Sequence, residues 1–447
     1  MFTSARTPHP QAFEVQKVYQ NVSIKPVQLT TNSFTIENRF DYTNLKNYVI
    51  SWKIVGDGVE VANGSLGELV IEPHSKIEIS IKYPDFTINP GTEYFLLFEV
   101  KTKNASQLLK KDYRIAWEQY KLPFFKEVAK SDFPSIAFLK NTNTDSTFQL
   151  ESTNSMVTFN TKTGFVSSFK VQGNEVLVDG LVPNFWRSAT DNDIGTSAQI
   201  RCAMWQHPEK DIQLKSFKVL SIKGNSNTHN SYTVVVNYFL PQVQAEYILT
   251  YLFNTTGDLK VKVEMKGGNK PMPELPRFGL RVLLKNEFDQ TSWLGCGPLD
   301  NYCDRNSSSP VGVYSMPVDS LFYPYPRAQE SGNRTNVRWM SMCNKAGVGL
   351  MAIGNNLSTG AVHFDMHLMD WDRFNKKNLH GGSMEKGDYI WWNIDYLQMG
   401  LGGDNSWGAK AHSEYLIPYM NYEYSFILRP VVSGSNLNLN SVSKIIY

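Results

Sequence analysis

The chain has 447 residues, with 44 Lys plus Arg against 42 Asp plus Glu and a net charge of +2. That length suits about three ordinary domains, or two if one is a large β unit, and the charge balance argues against a dedicated nucleic-acid binder. An apolar content of 41% excludes wholesale disorder, and no 18-residue apolar run marks a membrane span.

Residues 1–12 show neither alternation nor the apolar stretch of a signal peptide. From 13 to 118 about seven short strands are expected, the size of an immunoglobulin-like β-sandwich. Trp52, inside Tyr48–Ile54, is the expected inter-sheet core aromatic. Lys76 to Lys82 alternates strictly, the mark of a strand with one wet face. Phe95 to Phe98 is an unbroken apolar run, which suits a strand buried on both faces. Residues 119–145, around Leu122 to Pro134, lose the alternation and read as a linker.

From 146 to 447 strand follows strand. Lys260 to Lys266 alternates again, and Val234-Val235-Val236 reads as buried on both faces. Turn signals such as Asn63-Gly64, Pro90-Gly91 and Gly257-Asp258 punctuate the pattern. No stretch carries a sustained 3.6-residue apolar stripe, and no fixed-period repeat divides the long second part. The expected fold class is therefore all-β, a small sandwich followed by one very large one.

The informative excess is aromatic: 25 Phe, 22 Tyr and 10 Trp. Aromatics favour strands and also provide the flat faces on which sugar rings stack. The cysteines Cys202, Cys296, Cys303 and Cys343 form no C-x-x-C pair, so zinc-ribbon and thioredoxin-type motifs do not fit.

Complete active-site motifs are not found. Asn174-Glu175 and Asn286-Glu287 look like glycosidase acid/base dipeptides, but both fall in turns or at strand edges. His363 and His367 are four apart in what reads as a strand, where roughly 13 Å separates such residues, too far for one metal ion. Asp191-Asn192-Asp193-Ile194-Gly195 resembles the start of a calcium loop but lacks the later acidic ligand. Gly400-Leu401-Gly402-Gly403 precedes no helix, which excludes a dinucleotide loop.

What stands out is a set of four polar-aromatic clusters: Asn184 to Asp193, Trp293 to Arg305, Gln329 to Trp339 and Trp391 to Trp407. Arg, Asp and Asn beside aromatic faces suit hydroxyl-rich ligands. The plainer interpretation is that Arg–Asp pairs tie long loops together while the tryptophans fill the core.

These clusters resemble the C-terminal part of the large β-galactosidases of glycoside hydrolase family 2. The family patterns N-F-W-R-A-P-T-D-N-D-I-G, L-G-x-G-P-x-E-N-Y-x-D-R, Q-E-x-G-N-R-x-x-V-R-W and W-x-N-I-D-x-x-Q-M-G-x-G-G-D-x-S-W occur here in order. Asn38 to Leu45 and Ala116-Trp117-Glu118-Gln119 resemble the family's immunoglobulin-like fourth domain, and Arg6 to Pro10 is similar to the exit from its catalytic barrel. Departures include Ser188-Ala189 for Ala-Pro, Asp300 for Glu, and Gln206-His207-Pro208-Glu209 where many members have Lys and an Ala-Gly turn.

The resemblance implies a barrel stub at 1–12, an immunoglobulin-like sandwich at 13–118, a linker at 119–145 and a galactose-mutarotase-like β-supersandwich at 146–447. It implies the C-terminal part of an enzyme that hydrolyses terminal β-D-galactosides, with the catalytic carboxylates outside this chain. Trp391 matches the family's sugar-stacking tryptophan, so Trp391, Asn393 and Asp395 are the implied substrate-binding residues. Asn393, Asp395, Asp404 and Trp407 are read as scaffolding that aims Trp391. No catalytic or metal-binding residue is assigned within the chain, and magnesium and sodium are implied only for the complete enzyme.

The implied partners are a galactoside and the preceding barrel domains, with a homo-oligomer left open and neither nucleic acid nor membrane expected. No signal peptide is seen, which leaves cytoplasm and periplasm both open. Three other classes stay in view, one of them a purely structural platform for oligomerisation and packing of a separate barrel subunit. Another is a stand-alone carbohydrate-binding module. The third is an aldose epimerase, for which His363, His367 or Glu330 would have to serve as acid and base.

Overall fold

The computed structural model describes residues 2–3, 5–129, 139–223, 230–370, 380–405, 407–432 and 439–444. Residues 130–138, inside the expected linker, lie outside the described residues. The chain is all-β and divides into two compact units. One comprises Met1–Ser131, Pro310–Val313 and Asn438–Tyr447; the other comprises Asp132–Ser309 and Tyr314–Leu437. No described helix is long and apolar enough to cross a membrane.

The first unit pairs a three-stranded and a four-stranded antiparallel sheet. The former runs Val22–Gln28, Ser33–Asn38, Lys76–Ser80. The latter runs Val59–Ser65, Tyr48–Gly56, Tyr94–Thr102, Arg114–Lys121. Alternation along Ser33–Asn38 sends Phe34 and Ile36 inward, and alternation along Tyr48–Gly56 does the same for Ile50, Trp52 and Ile54. These side chains form one core with Leu96, Phe98 and Val100. Phe34 and Phe98 meet edge to face at 5.0 Å, a favoured aromatic geometry. Trp52 is part of this core, packed against Tyr83.

A nine-residue helix, Pro10–Val18, precedes the strands of the first unit, and the other described helices are of five residues or fewer. Proline in the first turn of Pro10–Val18 costs no hydrogen bond there, because that amide lacks an intrahelical partner in any case. Nine residues are too few to display an apolar stripe, which is why periodicity misses it.

The second unit carries a five-stranded sheet over Leu139–Glu175 and a twelve-stranded sheet. The path of the larger sheet runs Leu177–Asn184, Arg277–Lys285, Tyr389–Gln398, Gly349–Val362 and Tyr422–Val431. It continues through Leu259–Lys266, Ala245–Phe253 and Asn230–Leu240 to Gln213–Lys223. Arg334–Cys343 branches off through Gly349–Val362 and carries Gln290–Cys296. Val261, Val263 and Met265 point inward, as the alternation of their strand predicts. Val234 and Val236 are fully buried but Val235 is only half-buried, so this run has one core face rather than two.

Most of the aromatic excess is core. Among the described residues eight tryptophans are buried, Trp205, Trp293 and Trp392 completely, whereas Trp407 is 93% exposed. Burying such a side chain contributes roughly 1.5–3 kcal/mol, so these rings are first of all stability.

Candidate functional site

The four polar-aromatic clusters converge in the second unit. The first leaves the end of Leu177–Asn184 and enters the short helix Asp191–Gly195. Thr190 caps this helix: its hydroxyl accepts from the Asp193 amide at 3.2 Å, while an Asp193 oxygen accepts from the Thr190 amide at 3.0 Å. The calcium-loop look-alike is thus a capping box. Asp193 also takes the Arg187 guanidinium in a two-point pair at 2.8 and 3.1 Å. Arg187 in turn donates to the carbonyls of Met399 and Gly400 in the fourth cluster. Thr190→Ala should cost about 1 kcal/mol of stability by chemical denaturation, and an unchanged midpoint would argue against the cap.

The remaining clusters are tied in the same way. Asp304 accepts from the amides of Leu401 and Gly402 at 2.7 and 3.0 Å, which is the use the glycine-rich run finds. Asn301 accepts from the Thr335 amide at 2.8 Å, and Asn333 donates to the Asn301 carbonyl at 2.9 Å. Arg334 donates to the carbonyls of Leu321 and Pro298. Apart from Pro298, every one of these residues is buried or half-buried, where an unpaired partner would cost about 1–3 kcal/mol.

At the centre lies an ionic triad. Arg277 is completely buried between Glu330 at 3.1 Å and Asp395 at 3.2 Å. Two carboxyls share one guanidinium, and among the described residues neither Asp395 oxygen makes a hydrogen bond of good geometry. Burial therefore pushes the Asp395 carboxyl up to about 8, against the pull of Arg277 and helped by Glu330. Burial raises Glu330 as well, opposed by Arg277 and Arg187. Arg277 belongs to none of the four clusters. Its one sequence signal is a charge set inside the otherwise apolar run Arg277-Phe278-Gly279-Leu280.

Trp391, Asn393 and Asp395 share one face of Tyr389–Gln398, as alternate strand residues do. The Trp391 indole N–H donates to Asn393 Oδ1 at 2.8 Å, and Asn184 donates to the same oxygen at 3.0 Å. Asn393 thus orients the ring, whereas Asp395 belongs to the triad. Trp391 is 4% exposed, with Arg281 over its ring at 4.7 Å and the His367 ring edge-on at 5.7 Å. Val362, Phe364, Met366 and Met369 complete its surroundings. Asp404 is exposed and pairs with His412, and Trp407 faces solvent, so neither of these two aims Trp391.

The stretch around His367 departs from the strand reading. The strand stops at Val362, because Asp365 accepts from the His367 amide at 2.8 Å and starts the tight turn Met366–Met369. His363 is held by Asn286 at 3.0 Å, Glu330 lies in the triad, and His367 sits with His207 and Asp370. The three epimerase candidates therefore occupy three different hydrogen-bonding settings. Glu175, from one glycosidase-like dipeptide, accepts from the Phe169 and Leu177 amides and so closes its own turn. Among the described residues no three His, Cys, Asp or Glu side chains gather to hold a metal ion.

Two antiparallel sandwich units, the second with a buried ionic centre closed by four loops, define an all-β chain. The chain belongs to the beta galactosidase small chain family, whose model matches residues 151–428. The model of beta-galactosidase domain 4 matches residues 34–123. The chain is 28% identical over 435 residues to a beta-galactosidase of Priestia megaterium, covering 95% of this chain and 40% of that protein. A beta-galactosidase of Pseudoalteromonas haloplanktis is also 28% identical, with 95% and 41% covered. The chain thus spans about two fifths of the length of these relatives. Among solved structures it is similar to a galactose 1-epimerase from Lactobacillus acidophilus, at 9% identity and a TM-score of 0.38, over 69% of this chain and 98% of that one.

Proposed function

We propose that the chain is the C-terminal part of a β-galactosidase, with residues 13–118 and 146–447 as its two domains joined by 119–145. The observation that carries this is the match of nearly the whole chain to β-galactosidases that are much longer. In the complete enzyme a terminal β-galactoside is hydrolysed by a pair of carboxylates, and the preceding barrel supplies both. This chain contributes packing and the Trp391 wall, against which the apolar C–H face of galactose stacks. Asn393 holds the indole, and Asp395 anchors the same strand through Arg277. Magnesium and sodium belong to the complete enzyme in this reading, and no step in this chain is assigned to them.

Trp391 is covered in the chain by itself, so sugar contact requires His367 and the Met366–Met369 turn to shift when the barrel is present. The purified chain is accordingly expected neither to cleave a chromogenic β-galactoside nor to bind galactose by calorimetry. Joined to the preceding part of a relative such as the Priestia megaterium enzyme, it should complete an active hydrolase. Trp391→Ala should then lower kcat/KM at least tenfold, equivalent to about 1.4 kcal/mol. Cleavage by the chain alone, with host enzyme excluded, would overturn the assignment. Full activity of the Trp391→Ala hybrid would overturn the role of the ring.

A further inference from the structure

The rim beside Trp391 holds a pair of histidines to which the proposed function gives no chemical role. His207 precedes the short helix Pro208–Asp211, and His367 lies in the Met366–Met369 turn. The two residues are 160 positions apart in sequence, yet their ring centroids lie 4.2 Å apart at a tilt of 34°. Both side chains are partly accessible, His207 at 30% and His367 at 23%.

Each ring is held at the same nitrogen. His207 Nδ1 lies 3.3 Å from Glu209 Oε1, and His367 Nδ1 lies 3.2 Å from Asp370 Oδ2. An ionised carboxylate only accepts, so Nδ1 carries the proton in both rings and the lone pair of each neutral ring resides on Nε2. Among the described residues neither Nε2 meets a hydrogen-bonding partner. A carboxylate on one imidazole nitrogen with the other left open is the outer arrangement that surrounds metal-bound histidines. Asp370 is itself fixed, accepting from the Trp186 indole at 2.9 Å and from Gln206 at 2.6 Å.

We propose that His207 and His367 form a two-imidazole site for a divalent transition cation of the zinc–copper type. Imidazole nitrogens suit these borderline ions, whereas magnesium and calcium prefer oxygen cages. A cation about 2.0–2.1 Å from each Nε2 needs the nitrogens about 3.4 Å apart with both lone pairs converging, so the two partly stacked rings, already 4.2 Å apart, must turn about their Cβ–Cγ bonds as the cation binds. Water completes the coordination, because no third His, Cys, Asp or Glu among the described residues joins the pair. The site belongs to this chain alone and does not depend on the galactosidase reading.

Zinc titrated into the 447-residue chain at pH 7.5 should give one saturable equivalent by calorimetry. His207→Gln and His367→Gln should each abolish that equivalent, and Asp370→Asn should weaken it about 10- to 100-fold. His412→Ala, at an exposed histidine away from the pair, should leave it intact. No saturable binding at millimolar zinc, or binding unchanged in both glutamine variants, would overturn the proposal. If a variant does not fold, the parent loaded with one equivalent of Cu2+ decides alone. Its electron paramagnetic resonance spectrum should show two coordinating nitrogens, and none or one would count against the site.

Discussion

Replacing Arg277 by alanine is expected to destabilise the second unit by about 3–5 kcal/mol, the cost of removing one partner from a buried charge cluster. The effect should sit at the upper end of that range, because Arg277 serves two carboxyls, Glu330 and Asp395, each almost wholly buried. With the guanidinium gone, both acids must keep their protons or stay charged without a partner. The melting temperature should fall by roughly 10 °C for a unit of this size. The triple change Arg277→Met, Glu330→Leu, Asp395→Leu should regain much of the loss, since apolar side chains of similar volume need no charge partner. A single Arg277→Ala variant within 1 kcal/mol of the parent would show that the triad is not what closes this core.

The second large effect concerns pH. An unfolded aspartate loses its proton near 3.9, whereas folded Asp395 keeps it to about 8. Between these values the folded chain binds more protons than the unfolded one, so this group's contribution to stability declines as pH rises through that window. Glu330 is shifted in the same direction and adds to the slope. The total is on the order of a few kcal/mol, fully present below about pH 4 and gone above about pH 8. Asp395→Asn keeps the shape, removes one of the two carboxyls and leaves Arg277 with Glu330 as a matched pair. This variant should therefore unfold at a higher urea concentration than the parent at pH 8.5 and at a similar one near pH 4. Parallel pH profiles for the two proteins would show that Asp395 does not titrate in this window.

Gly279 shows how tightly the triad is enclosed. A Cβ at this position would lie 1.9 Å from Asp395 Oδ1 and 2.6 Å from its Cα. The strand Arg277–Lys285 passes so close to Tyr389–Gln398 that only a residue without a side chain fits. The glycine in Arg277-Phe278-Gly279 and the charge beside it are two aspects of one packing problem.

Much of the fold is legible from the residues alone. Alternation at Lys260 to Lys266 and the apolar positions of Tyr48–Gly56 specify strands with one buried face, and Trp52 declares itself as core. The four motifs, in order, identify the family. These signals are local, because a strand's pleat repeats every two residues and a motif is read within a dozen. Where the local signal is thin the structure departs from it: the helix Pro10–Val18 is too short for a stripe, and the turn at Asp365 interrupts a strand-like sequence.

The site is another matter. That Asn184 and Asn393 share a hydrogen bond, that Arg277 takes Glu330 and Asp395, and that His207 lies against His367 are facts about residues 53 to 209 positions apart. No periodicity encodes them. Buried charges must find partners wherever the strands bring them, and pairing across a twelve-stranded sheet is settled only when the sheet closes. By itself the sequence determined an all-β chain of two sandwiches, its family and the motifs that mark it. The tertiary structure alone decided which polar groups became ionic core, which ring was covered, and which histidines met at the rim, because desolvation and pairing depend on neighbours distant along the chain.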